Sequence, residues 1–324
     1  MTLVLASPGA VADVARTADD AGVDPGAARP GPPPARPVRR RAAAADPEQA
    51  SSFQPRSRLP AVAAHTVLIL LAVFTVLPIA WMYLTSFRPP GDLFSSGLVS
   101  TSFSLANYSS ALSTIPVAEL TEHTVIVAVA VSLGQLLTSL LAAYSFSRFR
   151  FRGRTVLFMV FIGSWLVPFQ VTMLPNFVLI SRLGLLNSLA GIIIPQLSSA
   201  FAVLLLRQHL NAFPAELLDA ARVDGQNSWR TLWTVVVPNL GPALSALGIL
   251  LFVSSWNEYF WPLLVYRNIS HSVIQLGLQN FLNAVSINYG GLMAASGLAT
   301  LPILAIYAVL QRRMVNAFVR SGLR

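Results

Sequence analysis

Six stretches of this chain run on with almost no charge, and they constrain its fold more than any other feature. Residues 61–84 carry no acidic or basic group except His65, and 124–146, 155–180, 183–206, 231–257 and 291–311 carry none. Each holds the ~20 apolar residues that a helix needs to cross a ~30 Å hydrocarbon layer. In lipid every backbone amide must find a partner within its own segment, so runs this long are expected to be helical. The expected fold is an all-α integral membrane protein with six transmembrane helices.

Composition agrees with this and removes several kinds of chemistry. Of 324 residues, 54% are apolar and 11% charged, with a mean hydropathy of +0.62. There is no cysteine, which excludes disulfide scaffolds, zinc–thiolate sites, iron–sulfur clusters and cysteine nucleophiles. All 22 basic residues are arginine. A Walker A loop needs a lysine at the phosphates, so this chain binds no ATP through a P-loop of its own. His65, His123, His209 and His271 show no metal-ligand spacing with one another or with an acid, and no catalytic arrangement or cofactor site is expected.

The net charge of +9 would suit nucleic acid, but its placement points to topology instead. Eight arginines precede residue 60, four lie at 148–154, three at 207–230 and four at 312–324. Those nineteen fall on one side of the six-span scheme, against Arg88, Arg182 and Arg267 on the other. By the positive-inside rule both termini are cytoplasmic in a multi-pass protein of the cell membrane, and no nucleic-acid partner is expected. Labels at Ser95 and Asn268 should therefore react from outside, and labels at Gly153 and Gln226 only from inside. Outside access to Gln226 would end this topology.

Residues 1–59 differ from the rest: with Pro60 they hold ten prolines, together with eight arginines and six acids, and show no apolar periodicity. This is expected to be a disordered Pro/Ala/Arg-rich cytoplasmic tail, followed by a 60–324 membrane domain. Met1 to Val14 carries only Asp13, so no cleaved signal is expected. Deleting residues 2–50 should leave assembly and uptake close to the parental level. Loss of ATPase association would show that the tail is a docking arm.

Between spans four and five, 211–238 is the longest polar stretch on the arginine-rich side. Pro214 suits the start of a helix, Glu216 and Asp219 suit its positive end, and Gly225 after Asp224 can take the left-handed conformation that stops it. Asn227 or Ser228 can cap a second helix through Trp229 and Trp233 to Pro238, giving a helix, a glycine turn and a helix. Leu217, Leu218, Ala221 and Val223 give the first helix an apolar side fit for docking.

This loop carries a resemblance. Asp219, Ala220 and Ala221, then Asp224 and Gly225, then Val235, Val237 and Pro238 resemble the Glu-Ala-Ala…Gly…Ile-x-Leu-Pro loop of ABC-importer membrane subunits. The stretches 86–90, 107–108, 141–154, 183–188, 205–208, 255–264 and 311–313 are similar to those of the binding-protein-dependent carbohydrate permeases, in particular the maltose-type second permease subunit. The similarity covers about 62–324. Departures are Asp219 for the usual glutamate, Gln226 where alanine is common, and His123 before Thr124 where asparagine often stands.

The resemblance implies a permease subunit that carries a sugar or oligosaccharide by alternating access. It implies three partners: a second homologous permease, an ABC ATPase dimer and an extracytoplasmic solute-binding protein. Glu216, Asp219, Ala220, Ala221, Asp224, Gly225 and Pro238 would then couple ATP-driven closure to the spans. The same architecture for a sugar phosphate or polyol is an alternative, as is a secondary transporter or scaffold without an ATPase. The near absence of charge within the spans speaks against ion coupling.

Gln135, Gln170, Gln196, Asn257 and Glu258 are candidates for the translocation path, as neutral groups or an acid at a span end; helix–helix hydrogen bonds explain them equally well. Trp256, Tyr259, Phe260 and Trp261 fit either a sugar-stacking surface or the aromatic belt of the membrane boundary. Pro168, Pro175 and Pro195 are expected to kink spans three and four.

Overall fold

The computed structural model describes residues 58–90, 102–282 and 288–321. The tail up to residue 57 and the outer position Ser95 lie outside the described residues. The first helix, α1 (Arg58–Ser86), is followed by α2 (Ala106–Thr114) and the long α3 (Val117–Arg148). Next come α4 (Arg154–Trp165), α5 (Phe169–Arg182), the short α6 (Leu189–Ile193) with a 3-10 turn, and α7 (Ala200–Asn211).

The polar loop carries α8 (Ala215–Val223), α9 (Ser228–Thr231), a π-helical turn (Leu232–Val236) and α10 (Val237–Asn239). After α11 (Gly241–Trp256), α12 (Phe260–Val265) and α13 (Ile274–Gly277), the chain ends in α14 (Tyr289–Ser321).

Three helical stretches, Val62–Ser86, Val117–Arg148 and Tyr289–Ala308, are long and apolar enough to cross a membrane unaided. The other three charge-free stretches are broken pairs. Arg154–Trp165 and Phe169–Arg182 meet at 96°, Leu189–Gln196 and Ala200–Asn211 at 43°, and Ser228–Asn239 and Gly241–Trp256 at 81°. The described helices therefore give three to six crossings, according to whether each bent pair makes one.

Proline explains two of the breaks, because it lacks an N–H and its ring clashes with a continuing helix. Pro168 stands at the cap of α5 and Pro195 in the 3-10 turn after α6, whereas Pro175 is accommodated inside α5. At the third break Pro238 and Pro242 occupy the first turns of α10 and α11 on either side of Leu240. The uncharged run 231–257 is thus broken at Leu240, between a helical stretch that ends at Asn239 and α11, which starts at Gly241.

α3 is the central rod, packing along both α7 and α11. At its arginine-rich end Tyr144 joins Leu206, Leu210, Leu218, Leu232, Val236 and Leu247 in one apolar cluster. At the other end Leu120 and Ala128 pack with Trp256, Phe281 and the small residues Ala294, Ala295 and Ala299 of α14. Small side chains there let helices approach closely, which is how helices associate where lipid removes the hydrophobic drive.

α1 is different. From Val62 to Ala80 its side chains are exposed, and it meets the other helices near its end, where the Tyr83 hydroxyl bonds the Gly297 carbonyl (3.0 Å) and Thr300 Oγ1 (2.8 Å).

Candidate functional site

The 211–239 loop is built from strong local signals. α8 follows Pro214, with Glu216 in its first turn and Arg222 in its last, as the helix dipole favours. It ends in paired bonds: the Gln226 amide donates to the Ala221 carbonyl and the Gly225 amide to the Arg222 carbonyl, both at 3.0 Å. Those bonds require a left-handed residue at the corner, and Gly225 has φ +71°. Asn227 then caps the next helix, its Oδ1 accepting from the Arg230 amide at 2.8 Å.

The two faces of α8 separate cleanly. Leu218 (6% exposed) and Ala221 (3%) turn inward, Leu218 against the cluster that holds Leu232 and Val236. Glu216, Ala220 and Val223, at helical spacing, are exposed, with Val223 open to 88%. Leu217, Asp219 and Asp224 are exposed as well, and Asp219 pairs with Arg222 at 2.8 Å, an exposed pair of small energetic weight. Of the apolar residues the sequence offered for docking, Leu218 and Ala221 therefore serve this chain's own core, and Leu217 and Val223 face outward.

Three contacts that the sequence did not signal tie the loop to the rod. The Tyr144 hydroxyl donates to the Ser228 carbonyl (3.1 Å), Ser147 Oγ donates to Asn211 Oδ1 (2.9 Å), and Arg148 Nη2 donates to the Leu210 carbonyl (2.7 Å). The available hint was Tyr144 itself, a hydroxyl in an apolar run.

Of the candidate path residues, Gln135 and Gln196 meet across helices and the other three stand at helix ends. Gln135 donates to the Gln196 carbonyl (2.7 Å) and Gln196 to the Ile192 carbonyl (3.0 Å), so these two meet between α3 and the α6–α7 break. Gln170 is exposed on the first turn of α5. Asn257 is exposed at the end of α11 and donates to the Val253 carbonyl (2.8 Å). Glu258 Oε1 accepts from the Trp261 amide (3.2 Å), which makes it a cap of α12.

Trp256 and Trp261 are each 1% exposed, and the Trp261 indole donates to the Gly191 carbonyl (3.1 Å). Both are core, neither a belt nor a stacking surface in this chain; Phe260 is exposed.

His123, which departed from the resemblance, has a structural partner: Nδ1 bonds the Ser272 carbonyl at 3.0 Å. Thr124 Oγ1 accepts from the Ile274 amide (2.9 Å) and Glu119 meets His271 (2.8 Å), so the 271–274 segment is clipped to the start of α3.

Comparison with known proteins gives this helical frame a family. The model of the binding-protein-dependent transport system inner membrane component matches residues 135–320. The lactose transport system permease protein LacG of Rhizobium radiobacter is 32% identical over 266 residues, covering 82% of this chain and 97% of that protein. The arabinooligosaccharides transport system permease protein AraQ of Halalkalibacterium halodurans is 29% identical, covering 78% and 93%. The sn-glycerol-3-phosphate transport system permease protein UgpE of Rhizobium meliloti is 30% identical, covering 79% and 95%.

The crystal structure of a bacterial ABC transporter involved in the import of the acidic polysaccharide alginate contains a chain with the same fold, at a TM-score of 0.69, 24% identity and coverage of 80% and 98%. These relatives are transport permeases, and the charge-free helices agree with a multi-pass cell-membrane location. The chain belongs to the family of inner membrane components of binding-protein-dependent transport systems.

Proposed function

We propose that this chain is the permease subunit of an ATP-driven importer for a sugar or oligosaccharide. It pairs with a second, homologous permease to enclose the path. An ABC ATPase dimer docks on the arginine-rich side, and an extracytoplasmic binding protein delivers the cargo to the other. The observation that carries this is the near full-length similarity to a lactose permease, with arabinooligosaccharide permeases among the further relatives.

In this reading α8 is the coupling element. Its outward face of Glu216, Ala220 and Val223 meets the ATPase, and its inward face of Leu218 and Ala221 passes the motion to the rod through the packed cluster. Gly225 fixes the angle between the docking helix and the helix that leads to Pro238 and α11. A small rigid lever of this kind suits a rigid-body switch.

The sn-glycerol-3-phosphate permeases among the relatives favour a second cargo, a phosphorylated polyol. Uptake by the assembled transporter in vesicles discriminates between them. Labelled lactose or a short oligosaccharide should enter in an ATP-dependent, binding-protein-dependent way, and labelled glycerol phosphate should not. Uptake of glycerol phosphate alone would move the assignment to the phosphorylated cargo; ATP-independent uptake would overturn the importer.

A further inference from the structure

We propose that the exposed aromatic and arginine side chains around the end of α3 and along the helical stretch Ser228–Asn239 form a seat for anionic phospholipid headgroups of the leaflet on the arginine-rich side. The helical stretch Ser228–Asn239 meets Gly241–Trp256 at 81°. α11 is uncharged and about 24 Å long, and of the two arms of a bent pair apolar enough for one crossing it is the arm without charge, the one that enters the bilayer in this proposal. A helix set nearly at right angles to it, joined at its entry point, runs close to the membrane plane.

One side of that helix, with Thr231, Leu232 and Val236, is buried in the protein. Trp229 and Trp233 remain 61% and 38% exposed, their rings 5.6 Å apart in an edge-to-face pair. An indole has an apolar body and one N–H donor, and it sits well where hydrocarbon meets headgroup; two of them facing water would leave a large apolar patch uncovered.

The surface continues onto α3. The Tyr144 hydroxyl holds the Ser228 carbonyl at 3.1 Å, and the Phe149 ring lies edge-on to Tyr144 at 6.0 Å. Phe149 is 45% exposed, and Arg150 and Arg152 beside it are exposed, as is Arg230 beside Trp229. Among the described residues none of these three arginines has an ion-pair partner, whereas Arg222 is taken by Asp219. Aromatic rings interleaved with unpaired arginines match a layer of anionic headgroups in both polarity and charge. The outward face of α8, with Glu216, Ala220 and Val223, lies on the other side of the left-handed corner at Gly225.

The chain has no cysteine, so single cysteines can be placed at will. Trp229→Cys, Trp233→Cys and Val223→Cys, each carrying a nitroxide in the full chain, would be reconstituted in nanodiscs of phosphatidylcholine with phosphatidylglycerol. Measurements would be made alone and in the assembled transporter. The ratio of oxygen to nickel-chelate accessibility should be several-fold higher at 229 and 233 than at 223.

Spin-labelled phosphatidylglycerol should be enriched around the parental chain. Arg150→Gln, Arg152→Gln and Arg230→Gln should each weaken that enrichment about fivefold. Nickel access at 229 and 233 equal to that at 223 would overturn the proposal. So would shielding from both reagents that appears only when the ATPase subunits are added, which would make the patch a protein interface. The inference rests on the chain being a membrane subunit, and neither readout depends on what it transports.

Discussion

Replacing Gly225 by valine is expected to abolish binding-protein-stimulated ATP hydrolysis and to lower uptake more than tenfold, while the complex still contains this subunit in its normal amount. Gly225 has φ +71°, and a Cβ added there would meet nothing within 4 Å. The effect is therefore one of backbone alone. An ordinary L-residue in this conformation costs about 1–2 kcal/mol, and a β-branched one more. The paired bonds from Gln226 to Ala221 and from Gly225 to Arg222 exist only while the corner stays left-handed. Valine would thus turn α8 away from its docking angle and leave α3, α11 and α14 untouched.

Gly225→Asn supplies the control, because asparagine tolerates the left-handed region better than other side chains. It should retain most of the parental uptake. Full coupling in the valine variant would remove the corner from the mechanism.

Where the sequence was legible, the physics was local. The end of α8 at Gly225, the cap at Asn227 and the break at Pro168 each follow from a backbone preference of one or two residues, and they appear where those residues stand. Charge-free runs showed which segments are apolar but not where they bend. In the run 231–257 Pro238 marks the end of the loop helix, but the 81° angle at Leu240 leaves no trace in a composition that is apolar on both sides of it.

Contacts between distant segments left still less trace. Trp256 and Trp261 read as a stacking surface or an aromatic belt, and tertiary packing instead buries them. Gln135 and Gln196 share only their polarity in the sequence, and in the fold they meet; Gln170, Asn257 and Glu258 share the same ground and stand at helix ends, Gln170 on the first turn of α5 and the other two between α11 and α12. The side of α8 that faces outward was also not readable, since its apolar residues are distributed around much of the helix.

That last point sets up the sharpest contrast in the loop, between two adjacent alanines. Ala221 is 3% exposed, three residues along from Leu218 on the inward face, so Ala221→Asp would bury a carboxylate with no partner. Such a charge costs several kcal/mol, a large share of any domain's stability. The expected result is loss of the subunit from the membrane or a loop cleaved readily by added protease. Ala220 is exposed, and Ala220→Arg leaves the core unchanged.

Under the coupling assignment, Ala220→Arg places a bulky cation in the ATPase contact and should weaken ATPase association about tenfold, with subunit level and protease resistance at the parental values. Val223→Arg, one turn on along the same outward face, should behave like Ala220→Arg. If Ala220→Arg and Val223→Arg bind the ATPase and transport at the parental rate, the outward face of α8 is not the docking surface. If Ala221→Asp accumulates normally and resists protease, the inward packing of α8 is wrong, and with it the route from the docking helix to the rod.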